Sequence, residues 1–197
     1  MTDTPQVGAI VLAAGLSRRM GGPKLAMEMN GVPILARTLA AVEDAGLPLR
    51  LVVGGHADAV RAVAPGVPLV HAPAFARGLA ESLKAGLAAA PASWSAALVV
   101  LADMPFVQPA TLRTLAAALA AGAPAVVPVQ AGARGNPAGF ARAAWPALLQ
   151  LSGDQGARRL LDSLGAAEVP VDDAGIHRDI DRPADLLSGV PAPPSAR

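Results

Sequence analysis

Short apolar runs alternate along the chain with longer segments rich in Ala and Leu. The apolar runs contain few polar residues, which is typical of strands that are buried on both faces of a sheet. Five such strands are predicted, at residues 7–14, 49–55, 67–72, 96–103 and 125–130.

The segments between these runs have the spacing of helices. Leu35, Leu39 and Val42 lie on one helical face, and two later segments follow a similar pattern. Helices are therefore predicted within residues 33–46, 79–90 and 109–122. This alternation predicts an α/β fold with three layers, a Rossmann-like, mostly parallel sheet with helices on both faces.

Length and composition limit the domain organisation. At 197 residues the chain suits one domain, predicted over residues 1–187, followed by a Pro-rich flexible tail at residues 188–197. Hydrophobic residues make up 53% of the chain, but the excess is mostly Ala and no unbroken apolar run reaches membrane-spanning length. No membrane span is therefore predicted.

Charge and cysteine content exclude several classes of function. A formal charge of +1 gives no general attraction to nucleic acid or to a membrane surface. The chain has no cysteine, so disulfides, thiolate metal ligands and cysteine nucleophiles are excluded. The apolar stretch at residues 7–16 lacks the preceding basic region of a signal peptide, and a cytoplasmic protein is expected.

Residues 12–24, LAAGLSRRMGGPK, follow the first predicted strand. They do not form a P-loop, because Gly22 and Pro23 stand where that motif has Lys and a hydroxyl residue. They also lack the dinucleotide fingerprint, because Ser17 stands at its second glycine. Two arginines and a lysine after a buried strand still suit a polyphosphate.

Asp103 ends the fourth predicted strand, within the stretch LADMP. In a parallel sheet this end lies at the same edge as the first loop. Asp103 is then either a cap of the following helix or a carboxylate that holds Mg²⁺ against a triphosphate. The basic residues Arg18, Arg19 and Lys24 on the facing loop favour the metal ligand.

The first loop and LADMP together resemble the nucleotidyltransferases that complete the molybdenum cofactor. DIDRPADL, at residues 179–186, resembles the closing motif of the same family. Three further stretches resemble the molybdopterin cytidylyltransferase branch in particular: GLAESLKAG at 78–86, RGNPAGF at 134–140 and GDQGAR at 153–158.

This resemblance implies a reaction and its participants. The terminal phosphate of molybdopterin attacks the α-phosphorus of CTP, pyrophosphate leaves, and the cytosine dinucleotide cofactor forms, with Mg²⁺ as the metal. A phosphate monoester is already ionised at neutral pH, so the reaction needs no general base. The resemblance also suggests a molybdenum hydroxylase, or its chaperone, as a protein partner.

The resemblance assigns the nucleotide to the N-terminal half of the domain. Arg19, Lys24 and Asp103 are the expected catalytic residues. Ala14 stands where guanylyltransferase relatives have glycine, and its methyl group favours the smaller base of CTP over GTP. The expected nucleotide-binding residues are Leu12, Ala13, Ala14, Gly15, Gly21, Gly22, Lys24, Gly78 and Ser82. For Gly78 and Ser82 the alternative is that they only pack a helix.

The metal is expected at Asp103 together with a second carboxylate from Asp179 or Asp181. Only one of these two is expected to point inward, and Asp181 is favoured. The alternative is that either residue caps a short helix that starts near Pro183.

The resemblance assigns the acceptor to the C-terminal half, at Arg134, Asn136, Asp154 and Arg158. Asp154 is predicted to precede a helix whose N-terminal amides face an anion; the alternative is that Asp154 only caps this helix. The chain departs from its relatives after Pro137, where it has small residues, and a roomier acceptor pocket is expected at Ala138 and Gly139.

Other functions stay open at this point. A guanylyltransferase or a sugar-phosphate nucleotidyltransferase would use the same first loop and Asp103 and would differ in base or acceptor. An alternative of another class is a non-catalytic carrier or insertion chaperone for the molybdenum cofactor. Such a carrier has no need of both Lys24 and Asp103 on facing loops.

Overall fold

The computed structural model describes residues 6–186, so the tail predicted at residues 188–197 lies outside the described residues. The first elements are β1 (Gln6–Ala13), β2 (Glu28–Met29), β3 (Val32–Pro33) and α1 (Ile34–Asp44). They are followed by β4 (Leu49–Val53), α2 (Ala57–Val63), β5 (Leu69–His71), α3 (Leu79–Ala88) and β6 (Trp94–Leu101). The later elements are α4 (Pro109–Ala120), β7 (Ala125–Gln130), β8 (Ala133–Arg134), β9 (Ala138–Ala141), α5 (Trp145–Leu148) and β10 (Ala167–Pro170).

Eight of the strands within residues 6–186 form one sheet, in the order β10-β7-β9-β6-β1-β4-β5, with β8 paired to β7. Strand β1 lies inside the sheet and is parallel to both β4 and β6. The five predicted strands are found as β1, β4, β5, β6 and β7, and the three predicted helices as α1, α3 and α4. The predicted α/β fold with a mostly parallel sheet is therefore confirmed.

Two hydrophobic cores lie on opposite faces of the sheet, because successive residues of a strand point to opposite sides. Ala9 and Val11 of β1 belong to the core that α1 and α4 cover. Ile10 and Leu12 belong to the core that α3 covers. The burial of β1 on both faces explains why its sequence is apolar without alternation.

Strand β9 is a departure from the predicted order, because it lies between β6 and β7 and runs antiparallel to both. Its sequence, AGFA, is short, has no β-branched residue and has Phe140 as its one aromatic residue, so it carries little of the composition that marks strands. Gly139 is tightly packed, since an added Cβ would lie 2.7 Å from side chains of Leu98 and Leu119. This glycine therefore fills the core next to α4, and the expectation that it enlarges an acceptor pocket is wrong.

Two smaller predictions also differ from the structure. Strand β5 is an edge strand with no fully buried residue, so its predicted burial on both faces is wrong. Helix α2 was not predicted, because Val60 is its one buried residue and a single buried position gives no helical period. Within residues 6–186, no helix is both long enough and apolar enough to cross a membrane.

The close packing of α3 on the sheet gives a testable prediction at Gly86. A Cβ there would lie 2.4 Å from Cγ2 of Ile10 and 3.0 Å from Cγ2 of Val52. Alanine is favoured over glycine in a helix by about 1 kcal/mol, but overpacking a core costs about 1–3 kcal/mol. We expect Gly86→Ala to lower the free energy of unfolding by about 1 kcal/mol in urea denaturation. A more stable variant would contradict this packing.

Candidate active site

A cleft of about 580 Å³ opens at the carboxyl ends of β1 and β6. Ligands of open α/β sheets bind at this edge, where the loops after the strands converge. Gly21 and Gly22, which were predicted to contact the nucleotide, do not line the cleft. The predicted site residues that do line it are Leu12, Ala13, Ala14, Gly15, Arg19, Lys24, Gly78, Ser82, Asp103, Asp154 and Asp181.

The loop after β1 changes direction twice before it reaches Lys24. Ser17 and Gly21 both have left-handed backbone conformations, with φ of 49° and 71°, on either side of a single 3-10 turn at Arg18–Met20. Glycine adopts this conformation without steric cost. Gly21 therefore shapes the turn that precedes Lys24, whose side chain lines the cleft.

Three carboxylates converge at one side of the cleft. One oxygen each of Asp103, Asp179 and Asp181 lies within 4.8 Å of the others. The backbone N–H of Ile180 donates to the carbonyl of Asp103 at 2.9 Å, and the Ile180 side chain is buried in the core. The expectation that only one of Asp179 and Asp181 points inward is wrong, because side chains two residues apart in an extended segment share a face.

Lys24 occupies the centre of this group of charges. Its Nζ lies 2.7 Å from an oxygen of Asp103 and 3.2 Å from an oxygen of Asp181, and its side chain is 10% exposed. Burial by itself lowers the pKa of Lys24, but the charge of Asp103 and hydrogen bonds to both carboxylates outweigh it and raise the pKa above its usual value. Lys24 is therefore a cation at neutral pH.

Arg19 lies at the rim of the cleft. Its Nη1 is 2.6 Å from an oxygen of Asp181, and its side chain is 74% exposed. Exposed ion pairs contribute about 0–1 kcal/mol, so Arg19 can exchange Asp181 for another anion at little cost. The two cations thus differ: Lys24 is buried between two carboxylates, and Arg19 is exposed with one of them as its partner.

Asp185 holds the segment that carries Asp181. Its carboxylate accepts hydrogen bonds from the backbone N–H groups of Asp181 and Arg182, at 2.9 and 2.8 Å. These two bonds hold the pKa of the Asp185 carboxyl below its usual value. Asp185 lies within the turn at Pro183–Leu186 and binds the backbone that precedes it, and the side chains of Asp179 and Asp181 lie near Asp103.

The start of α3 forms another wall of the cleft and contacts the GDQG stretch. Gly78 has a φ of 125°, and a Cβ there would lie 2.2 Å from the backbone of Gly153. The N–H of Ala80 donates to the carbonyl of Gly153 at 3.0 Å. Two stretches of sequence that carried the family resemblance therefore meet backbone to backbone, with Ser82 and Asp154 lining the same cleft.

The residues predicted to bind the acceptor do not lie together in one cavity. Asn136, Ala138 and Arg158 line a second, apolar cavity of about 120 Å³ beside the cleft. Arg134 lines neither cavity, and its guanidinium pairs with Asp162 at 2.6 Å and Glu168 at 2.7 Å. Arg158 donates to the carbonyl of Arg134 at 3.0 Å.

The helix predicted after Asp154 is a short 3-10 turn at Ala157–Leu160. Gly156 is its N-cap, so the alternative of Asp154 as an N-cap is also wrong. A turn of this length has no aligned set of N-terminal amides to face an anion. Asp154 instead lines the main cleft together with the start of α3.

Apolar residues that the sequence did not predict also line the cleft, above all Leu16 and Phe75. A further residue that the sequence did not predict is Asp173, a buried carboxylate that accepts from Thr111 Oγ1 at 2.7 Å and from the N–H groups of Gln108 and Gly175. Asp173 joins the C-terminal segment to the start of α4. Nothing in the sequence distinguishes it from the exposed Asp172 beside it.

A glycine-rich loop, a lysine and a cluster of carboxylates at the end of parallel strands are typical of α/β enzymes that act on polyphosphates. A family model described as the MobA-like NTP transferase domain matches residues 9–169. The chain belongs to this family and is a nucleotidyltransferase. The match ends before the segment that carries Asp179 and Asp181.

Two curated relatives are similar to the chain. The purine catabolism protein PucB of Bacillus subtilis is 34% identical over 200 residues, which cover 91% of this chain and 94% of that protein. The 2-C-methyl-D-erythritol 4-phosphate cytidylyltransferase of Frankia casuarinae is 36% identical over 131 residues, or 64% of this chain. The matched region covers 48% of the Frankia protein, so the chain spans about half of that protein's length.

A solved structure extends this similarity over nearly the whole chain. Rv0371c from Mycobacterium tuberculosis H37Rv has a TM-score of 0.84 and 32% sequence identity, and the superposition covers 94% of this chain and 97% of that one. A second structure of Rv0371c is a complex with manganese and has a TM-score of 0.81. Its superposition covers 94% of this chain and 100% of that one.

The raised pKa of Lys24 gives a prediction for stability. A base whose pKa is raised by folding contributes stability that is complete below its unfolded pKa, about 10.4, and is lost as the pH rises through the folded value. We expect the free energy of unfolding of the metal-free protein to fall above about pH 10, and Lys24→Met to show a smaller fall. Urea denaturation in EDTA at neutral and alkaline pH measures both. If the wild type and Lys24→Met lose the same free energy of unfolding at alkaline pH, the raised pKa of Lys24 is contradicted.

Proposed function

We propose that the chain transfers CMP from CTP to the terminal phosphate of molybdopterin, releasing pyrophosphate and forming the cytosine dinucleotide cofactor. The observation that carries the proposal is the meeting of Lys24 with Asp103 and Asp181 beside the LAAG loop. A non-catalytic carrier would gain nothing from a buried lysine held between carboxylates, which supports an enzyme.

The donor set fits a divalent metal. Three carboxylates with oxygens within 4.8 Å are the kind of ligands that Mg²⁺ and Mn²⁺ prefer. We assign Asp103 and Asp181 as the metal ligands, with Asp179 beside them, and Mg²⁺ as the metal; the manganese complex of Rv0371c supports a divalent ion. When bound, such an ion would neutralise charge on the triphosphate.

Lys24 and Arg19 supply the remaining positive charge. In the transfer, an oxygen of the acceptor phosphate forms a bond to the α-phosphorus of CTP, and the bond from that phosphorus to the bridging oxygen of pyrophosphate breaks. Negative charge on the α-phosphoryl group and on the leaving pyrophosphate requires fixed cations. Lys24 is fixed by its carboxylate partners, and the exposed Arg19 can follow the leaving group.

The acceptor needs positioning rather than a base, because its phosphate is ionised at neutral pH. We assign Asn136 and Arg158 to the acceptor, since they line the cavity that adjoins the nucleotide cleft through Leu12, Leu79 and Leu101. We also assign Asp154 to the acceptor, because it lines the nucleotide cleft from the GDQG stretch. Arg134 contributes indirectly, through its carbonyl contact with Arg158.

The choice between CTP and GTP depends on the space that the cleft leaves for the base. Ala14 places a methyl group where the guanylyltransferase relatives have only hydrogen, and this favours CTP by about 1–3 kcal/mol at most. The Frankia relative is itself named a cytidylyltransferase, which supports CTP as the donor. That same relative supports a second candidate function, transfer of CMP to a sugar phosphate.

Nucleotide binding tests the donor directly. We expect the purified protein to bind CTP in the presence of Mg²⁺ or Mn²⁺. We expect it to bind GTP about tenfold more weakly, as measured by calorimetry. Removal of the metal with EDTA should abolish most of the binding. A preference for GTP would assign the protein to the guanylyl branch, and a folded protein that binds neither nucleotide would contradict the proposal.

The metal ligands are tested by Asp103→Asn, which keeps the shape of the side chain and removes its charge. We expect metal-dependent CTP binding to weaken at least about tenfold and turnover to fall about a hundredfold or more. Asp44→Asn, at the exposed end of α1, is the matched control and should leave both unchanged. If Asp103→Asn binds and reacts like the wild type, Asp103 has only a structural role.

A further inference from the structure

The aromatic residues of the chain are few, and one of them faces the cleft. The chain has three phenylalanines, two tryptophans and no tyrosine. Trp94, Phe140 and Trp145 are buried in the core, and the guanidinium of Arg178 covers the ring of Phe106 at 3.9 Å. Phe75 alone among these five lines the cleft.

The ring of Phe75 lies against the end of β4, where two glycines make room for it. A Cβ at Gly54 would lie 2.5 Å from Cγ of Phe75, and a Cβ at Gly55 would lie 3.1 Å from its Cε2. The same Cβ at Gly55 would lie 2.6 Å from Cδ2 of Leu16. Phe75 and Leu16 therefore form one apolar wall over these glycines, and we call it the Phe75 wall.

Hydrogen bonds hold the backbone on both sides of this wall. The N–H of Phe75 donates to the carbonyl of Ala72 at 3.2 Å, and its carbonyl accepts from Gly78 at 3.2 Å. His56 donates from Nε2 to the carbonyl of Leu16 at 3.1 Å. These hydrogen bonds give the Phe75 wall a defined position in the cleft.

The order of the strands places this wall opposite the charged end of the cleft. Phe75 lies at the end of β4, Asp103 lies beyond the end of β6, and β1 runs between them. Neighbouring strands are about 4.8 Å apart, so the two ends are separated by about 10 Å, a span that one nucleotide bridges. A nucleotide with its phosphates at Lys24 and Asp103 is therefore long enough for its base to reach Phe75.

We propose that Phe75 is the base-positioning residue of the cleft, with its ring packed on the base, and that the Phe75 wall restricts the base end to a pyrimidine. This inference rests on the proposed function, because it requires a nucleotide in the cleft. Aromatic side chains stack on any nucleobase, so the ring supplies affinity. The restriction to a pyrimidine comes from the rigid position of the ring beside Leu16 and Ala14.

The test compares a ligand that has a base with one that has none. CTP and GTP report on the whole cleft, whereas inorganic tripolyphosphate contacts only the charged end. We expect Phe75→Leu to weaken CTP binding about tenfold, to reduce the preference for CTP over GTP, and to leave tripolyphosphate binding within about twofold, all in Mg²⁺ by calorimetry. Phe75→Tyr, which keeps the aromatic face, should bind CTP within about twofold of the wild type.

Each remaining outcome overturns the inference. CTP binding by Phe75→Leu equal to that of the wild type would show that the ring does not contact the base. Equal losses for CTP and tripolyphosphate would show that Phe75 acts through the shape of the loop. The proposed function fails in a different way, when the wild-type protein binds tripolyphosphate but neither CTP nor GTP.

Discussion

The site depends on one backbone hydrogen bond, from the N–H of Ile180 to the carbonyl of Asp103. This bond attaches the segment that carries Asp179 and Asp181 to the loop that follows the central strand β6. Because the Ile180 side chain is buried in the core, the residues on either side of it must point the other way, toward Asp103. Lys24 then has two carboxylates to pair with, and its charge is fixed in the cleft.

The interactions around this bond differ in strength. The Lys24 side chain is shielded from water, whereas its partner Asp181 is partly exposed, so breaking these pairs leaves a poorly solvated ammonium group, which is costly. The exposed Arg19 pair with Asp181 costs little to break. A polyphosphate that enters the cleft therefore meets one rigid cation and one that is free to rearrange, next to carboxylates that a divalent metal can share.

The sequence alone predicted five strands, three amphipathic helices and the loop and strand ends that carry Lys24 and Asp103, because apolar runs and glycine-rich loops have local signatures. It did not predict β9, whose small residues are explained only by the side chains of Leu98 and Leu119 packed on Gly139. It also did not predict Phe75 in the cleft, because the space for its ring comes from glycines about twenty residues earlier. Contacts between distant parts of the chain have no local signal.

The separation of Lys24 and Asp181 along the chain has a consequence for biosynthesis. The LAAG loop and β6 leave the ribosome well before residue 181, yet the carboxylate cluster and the pairing of Lys24 are complete only when the last described segment has docked. A chain truncated after β10 would therefore lack Asp179 and Asp181 and with them part of the charge arrangement of the cleft. The charge arrangement of the cleft therefore depends on a segment that follows every strand of the described sheet in the chain.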